Sequence, residues 1–356
     1  MKKSVIVLAA VVVIGVAAYS QRANLAMRIM AKGAEAAMSS NVTDTLEDGL
    51  HVALCGAGGP LPDPKRSGAC VVVIAGKQQF VVDAGTNGLR NLTRMRYPVG
   101  ATEAVFLTHF HSDHIDGLGE LATIRWVSAN NTTPLPVFGP EGVEKVVAGF
   151  NTAYAQDFVY RHDHHGDTVA ALSGAGMTAH PFPLPADGEL ETLYDKGDLK
   201  IQALAVDHAP VSPAVGYLFT YKGRTALISG DTDKSANIQT FAKGIDLLVH
   251  EALAPNLIGL MNQAATKTGA TGLAKITTDI LDYHATPIEA AETARDAGVG
   301  HLLYYHIVPP LIIPGMEAAW LDGVDDVFSD YTLGEDGTAF SLPAGSSDIK
   351  LISKSL

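Results

Sequence analysis

Residues 108–114 read Thr-His-Phe-His-Ser-Asp-His, which places three histidines and an aspartate side by side. The apolar run Ala104-Val105-Phe106-Leu107 precedes them and reads as a strand. Ile115-Asp116-Gly117 follows and reads as a turn into a helix bearing Leu118, Leu121 and Ile124. His109 and His111 are two apart, so at a strand end they point the same way. Asp113 and His114 are adjacent in a turn and reach a second position. The motif therefore divides into two ligand pairs, which suits two metal ions rather than one. A fold that hosts it must leave one sheet edge open and bring further donors there from elsewhere in the chain.

The later sequence offers such donors. His208 follows the strand-like run Ile201–Val206, Asp231 sits in Ser-Gly-Asp-Thr after Thr225–Ile228, and His306 follows Leu302–Tyr305. Each stands at a predicted strand end. A carboxylate has two oxygens, so Asp231 can bridge two ions. Earlier, Val71–Ile74 and Gln79–Val82 read as a hairpin around Gly76-Lys77, closed by Asp83. Repeated hairpins with interspersed helices predict an α/β architecture: two sheets face to face with helices outside, an αββα sandwich. Thr286-Pro287-Ile288-Glu289 predicts a helix start with a capping box.

Charge narrows the partners. The net charge is −13, with acidic residues spread along the chain. A broad nucleic-acid surface needs clustered Lys and Arg, so nucleic acid is not the expected partner. The first twenty residues stand apart: Lys2 and Lys3 precede an apolar run from Val5 to Tyr19. Residues 1–20 read as a signal peptide ending at Ala18-Tyr19-Ser20, or as an uncleaved membrane anchor. Either reading predicts a periplasmic or secreted protein. Residues 21–48 carry a helical stripe (Leu25, Met27, Ile29, Met30, Ala34, Met38) that suits a tether or a helix packed on the core. The catalytic domain is expected over 49–345 and a tail over 346–356. The two cysteines, Cys55 and Cys70, form either a disulfide or a pair of buried thiols.

His-x-His-x-Asp-His with a later strand-end His, Gly-Asp-Thr and a final strand-end His resembles the metallo-β-lactamase superfamily over roughly residues 50–340. The resemblance implies the metallo-β-lactamase fold. It implies one metal on His109, His111 and His208, and a second on Asp113, His114 and His306, with Asp231 bridging. Asp83 resembles the aspartate that fixes a ligand histidine. Zinc is the metal that the family implies, although His and Asp donors also accept Mn or Fe. The family also implies a homodimer.

Val-His-Glu-Ala at 249–252 and Asp-Tyr-His-Ala-Thr-Pro at 282–287 resemble the ribonuclease Z-like branch, which also holds arylsulfatases. Glu251 would hold His284 in one tautomer and raise its pKa, and His284 would assist the leaving oxygen. Asp113 would orient the attacking water between the metals. Phe150, Tyr154, Arg161 and His164-His165-Gly166 look most like the arylsulfatase-type members. The run His162-Asp163-His164-His165 is expected as a polar loop at the substrate mouth. A tRNA-processing role is set lower. Such enzymes extend a gripping arm between the third ligand and Gly-Asp-Thr, and here 22 residues separate His208 from Asp231. The expectation is therefore an exported hydrolase of a small anionic ester, sulfate or phosphate. The alternatives are a ribonuclease Z-like endonuclease and a β-lactamase or lactonase. True β-lactamases, however, lack the bridging aspartate that Asp231 supplies. A non-catalytic metal-binding protein would be expected to lose a ligand or the Glu251/His284 pair, and this chain keeps both.

Overall fold

Side chains that alternate between two buried faces build the architecture. In the computed structural model, which describes residues 15, 18–38 and 41–356, fifteen strands form two sheets. In chain order they are β1 (Gly49–Gly56), β2 (Cys70–Ala75), β3 (Gln78–Val82), β4 (Thr102–Phe106), β5 (Leu135–Pro140) and β6 (Met177–Phe182). Next come β7 (Glu191–Lys196), β8 (Leu199–Ala205), β9 (Val215–Tyr221), β10 (Arg224–Ile228) and β11 (Leu247–Leu253). The last are β12 (His301–Val308), β13 (Tyr331–Leu333), β14 (Ala339–Pro343) and β15 (Lys350–Ser353). One sheet runs β15-β14-β1-β2-β3-β4-β5-β6, the other β13-β12-β11-β10-β9-β8-β7.

Val249, Leu303 and Tyr305 join one buried cluster with Val52, Val73, Phe80 and Phe106 of the facing sheet. Their neighbours Leu248, Leu302 and Tyr304 point the other way, into a second cluster with Ile238, Ala290, Ala294 and Trp320 on helices. That period of two puts one apolar face between the sheets and the other under helices. The helices Gly88–Arg94, Leu118–Ser128 and Val143–His165 cover the first sheet. This is the expected αββα sandwich. The capping box forms: Thr286 Oγ1 accepts from Glu289 N, and Glu289 accepts from Thr286 N.

Two expectations are amended and one open alternative is settled. Residues 346–356 are not a tail, because β15 pairs antiparallel with β14 at the sheet edge. The His162–His165 run is not a loop; it forms the last turn of the helix Val143–His165. Cys55 and Cys70 form a disulfide between β1 and β2. The chain divides into two units, 1–45 and 46–356. Within the first, the helix Arg22–Met38 leaves Leu25, Met27, Ile29 and Met30 exposed. Most of the predicted leader lies outside the described residues. Among the described residues, no helix is long and apolar enough to cross a membrane.

Candidate metal centre and active site

The site forms where strands of both sheets end. The loop after β4 carries His109 and His111, and the short helix Ser112–Ile115 carries Asp113 and His114. His208 follows β8 and Asp231 follows β10, while Glu251 and His306 lie within β11 and β12. At His306 the β11–β12 register slips, because Tyr305 pairs with Glu251 and Ile307 with Ala252. His306 is the extra residue of this bulge, with φ of 45°. The bulge turns its side chain towards the centre instead of into the pleat. Asp83 is also left-handed, with φ of 57°. A non-glycine residue there carries strain of about 1–3 kcal/mol, which the surrounding packing has to offset.

The seven predicted ligands come together. Donor atoms of His109, His111, His208 and Asp231 lie within 4.8 Å of one another, as do those of Asp113, His114 and His306. Asp231 joins the groups: its Oδ1 is 3.3 Å from His114 Nε2, and its Oδ2 is 3.8 Å from His109 Nε2 and 3.4 Å from His306 Nε2. Asp113 Oδ2 lies 3.1 Å from His306 Nε2.

Hydrogen bonds on the far ring nitrogens orient three of the histidines. His114 Nδ1–H donates to Asp83 Oδ2 at 2.8 Å, and His208 Nδ1–H donates to the Tyr283 carbonyl at 2.8 Å. His109 Nδ1 meets Thr108 Oγ1 at 3.1 Å, and that hydroxyl donates to Asp83. Each bond leaves Nε2 with its lone pair free. Nε2 of His109, His114 and His208 and Oδ1 of Asp231 are all buried with no hydrogen-bond partner. Buried polar atoms are rarely left unpartnered, and four converging on one point fit a bound cation.

The electrostatics agree. Burial lowers the pKa of His109, His111 and His208, which favours the neutral, ligating ring. Burial also opposes charge on His114 and His306, but Asp231, together with Asp83 at His114 and Asp113 at His306, outweighs it and raises both. Burial likewise opposes charge on Asp231, yet the histidines around it hold it well below the usual carboxylate range. The centre demands positive charge, which metal ions supply in place of protons.

Beside these groups stands the predicted pair. His284 Nδ1–H donates to Glu251 Oε1 at 2.8 Å, and Glu251 Oε1 also accepts from Thr232 N at 3.0 Å. Glu251 is fully buried and His284 nearly so. Burial opposes charge on His284, but the Glu251 carboxylate prevails and pushes its pKa up to about 9. A donor atom of His284 also lies within 4.8 Å of donors of Asp231 and His306. The pair therefore faces the metal cluster.

The residues that suggested an arylsulfatase stand apart from the site. Tyr154 packs against Gly119 on the neighbouring helix, where an added Cβ would lie 2.5 Å from its ring. Arg161 pairs with Asp157 along the same helix at 2.6 Å. Neither these nor His162, His164 and His165 line the cleft at the metal cluster. That cleft, of about 360 Å³, holds His111, Asp113, Asp231, His284 and His306. Its far wall is the helix pair Pro255–Thr268 and Thr271–Asp279, which sequence reasoning missed. The signal was present: Ile258 and Met261, then Leu273, Ile276 and Ile280, recur at helical spacing.

Residues 78–307 match the family model described as Beta-lactamase superfamily domain. A ribonuclease Z of Mycolicibacterium paratuberculosis is 34% identical over 273 residues, covering 76% of this chain and 90% of that relative. A ribonuclease Z of Mycobacterium bovis is 35% identical over 275 residues, with the same coverage. The crystal structure of the short form of human tRNase Z superposes with a TM-score of 0.57 at 21% identity, covering 82% of this chain and 99% of that one. The metallo-β-lactamase fold protein YhfI of Bacillus subtilis does so with a TM-score of 0.57 at 20% identity, covering 83% and 100%. These relatives favour the ribonuclease Z side of the branch over the arylsulfatase side. With this fold, this clustering of donors and these relatives, the chain belongs to the metallo-β-lactamase superfamily, in its ribonuclease Z-like branch.

Proposed function

We propose that this chain hydrolyses phosphodiester bonds with the help of two divalent metal ions. The carrying observation is the His284–Glu251 pair, which faces two His/Asp groups joined by Asp231. His109, His111 and His208 would hold one ion, Asp113, His114 and His306 the other, and Asp231 would serve both. Ions held there would acidify a water and neutralise the charge developing on phosphoryl oxygens. The remaining steps belong to side chains. Asp113, at the cleft and beside His306, orients the attacking water. Glu251 accepts from His284 Nδ1–H and its charge keeps the ring doubly protonated, so Nε2–H faces the leaving oxygen and gives it a proton. Zinc suits the histidine-rich donor set, and Mn or Fe would also be accepted.

The relatives' names favour the phosphodiester over the sulfate ester. They also restore nucleic acid, set aside in the sequence reading, as a second reading: cleavage of RNA. Against RNA stand the net charge of −13 and the short connection from His208 to Asp231, which a β9–β10 hairpin fills. Export remains our proposal, supported by the basic and apolar residues 2–19 and the Cys55–Cys70 disulfide.

The test is a hydrolysis panel with zinc-loaded protein: bis-p-nitrophenyl phosphate, p-nitrophenyl sulfate, nitrocefin and a precursor tRNA. Diester turnover that EDTA abolishes and zinc restores is expected. Faster turnover of the sulfate or of nitrocefin than of the diester would overturn the proposal.

A further inference from the structure

The cleft beside the metal cluster has an unusual wall for an enzyme of phosphate esters. Leu61, Ile258, Met261, Leu273, Ile276 and Ile280 line it. Leu61, Leu273 and Ile276 remain 40%, 42% and 56% exposed, so apolar surface faces the cleft without covering partners. No Lys or Arg stands among the described lining residues. A wall that follows a nucleic-acid backbone needs cations, whereas this one offers aliphatic side chains. His284 and Tyr283 line the same cleft, so the proton donor and the apolar wall share one space.

A second cleft meets the first at Leu61 and Asp113 and is far less apolar, with Asp63, Ser67, Asn87 and Asp116 among its lining residues. Arg66 there is buried and already engaged: it pairs with Asp63 at 3.4 Å and donates to the Gly334 carbonyl. The two arms of a diester would therefore meet different surroundings.

We propose that the leaving group is apolar: the substrate is a phosphodiester of a hydrophobic alcohol or phenol, whose apolar body lies along the Ile258–Ile280 wall. This rests on the phosphodiester reading above. Water adds its oxygen and one hydrogen to phosphorus, and the bond from phosphorus to the apolar arm's oxygen breaks. That oxygen takes a proton from His284 Nε2, and the water's other proton restores His284 through solvent. The products are a phosphomonoester and the hydrophobic alcohol.

Methyl 4-acylphenyl phosphates, from acetyl to octanoyl, test it with the zinc-loaded full chain. The carbonyl sets the acidity of the phenol, so lengthening the acyl chain changes apolar contact and not the chemistry. The expected result is a kcat/KM that climbs with chain length by about twofold to fourfold per methylene until the cleft is filled, the ceiling set by burial of one CH₂. Ile276→Asp and Leu273→Asp alter exposed positions outside the catalytic groups. Both should flatten that climb, so that the loss in kcat/KM relative to the unaltered protein grows from the acetyl to the octanoyl member. Hydrolysis of every member at one rate in the unaltered protein, or an unchanged climb in both variants, would overturn this inference and leave the phosphodiester reading standing. A kcat/KM on precursor tRNA above that on the octanoyl member would also overturn it. No hydrolysis of any diester would instead overturn the proposed function itself.

Discussion

At the scale of single residues, the site works by hydrogen bonds one step behind the ligand atoms. Asp83 holds both His114 and Thr108, and Thr108 in turn meets His109. Asp83→Asn turns one acceptor oxygen into an amide donor and breaks that chain. Zinc affinity should fall by about 10–100-fold, measured by competition with a chelating dye. The His284–Glu251 pair has a separate job. Glu251→Gln removes the charge that keeps His284 protonated, and His284→Ala removes the proton donor. Each should lower kcat by about 10²–10⁴-fold. Both variants should keep two metal ions per chain by elemental analysis. Loss of an ion from His284→Ala would show that His284 is a ligand and not an acid.

At the scale of elements, irregularities in the strands aim the chemistry. A regular β12 would alternate its side chains, and the bulge at His306 breaks that alternation where the site needs it. The loop between β1 and β2 approaches the same histidine so closely that a Cβ on Gly59 would lie 3.0 Å from the His306 ring. Asp336 braces this loop by accepting from Ala57 N at 3.0 Å, Ser67 N at 2.9 Å and Asn91 Nδ2 at 2.7 Å. The Cys55–Cys70 disulfide closes the loop across 15 residues. Closing a loop of that length stabilises a domain by about 3 kcal/mol. The double variant Cys55→Ser/Cys70→Ser should lose about that much in urea unfolding, with m raised because the unfolded chain freed of the cross-link is less compact. An unchanged urea midpoint would refute a stabilising role.

For the whole molecule, burial sets the response to acid. His51, His250 and His301 lie outside the metal cluster, and burial lowers the pKa of each. In the unfolded chain they take up protons near their ordinary value, before the folded chain does. Stability that they contribute is therefore complete above about pH 6.5 and falls as pH drops towards their lowered folded values. The unaltered chain should lose more stability between pH 7.5 and pH 5.5 than His51→Gln does, both measured metal-free by urea unfolding. Equal losses would refute the assignment for His51. The net charge of −13 acts at the same scale, since it opposes polyanions at long range and leaves anion attraction to the metal cluster.

The seven candidate ligands and the Glu251/His284 pair were legible in the chain itself. Apolar runs mark the strands that carry them, and His-x-His-x-Asp-His with the later strand-end His, Gly-Asp-Thr and final His carries the family resemblance that implies their roles. The αββα layering was legible for the same reason. What the sequence could not determine was what lies beside those groups. Residues 161–166 hold three histidines yet end a helix whose Arg161 pairs with its own Asp157, outside the cleft. Ile258, Met261, Leu273 and Ile276 carry no chemistry of their own, yet they line it. Which apolar face is buried and which is left open to a cleft depends on contacts between residues far apart in sequence. The tertiary structure alone decided that, and the proposal of an apolar leaving group rests on it.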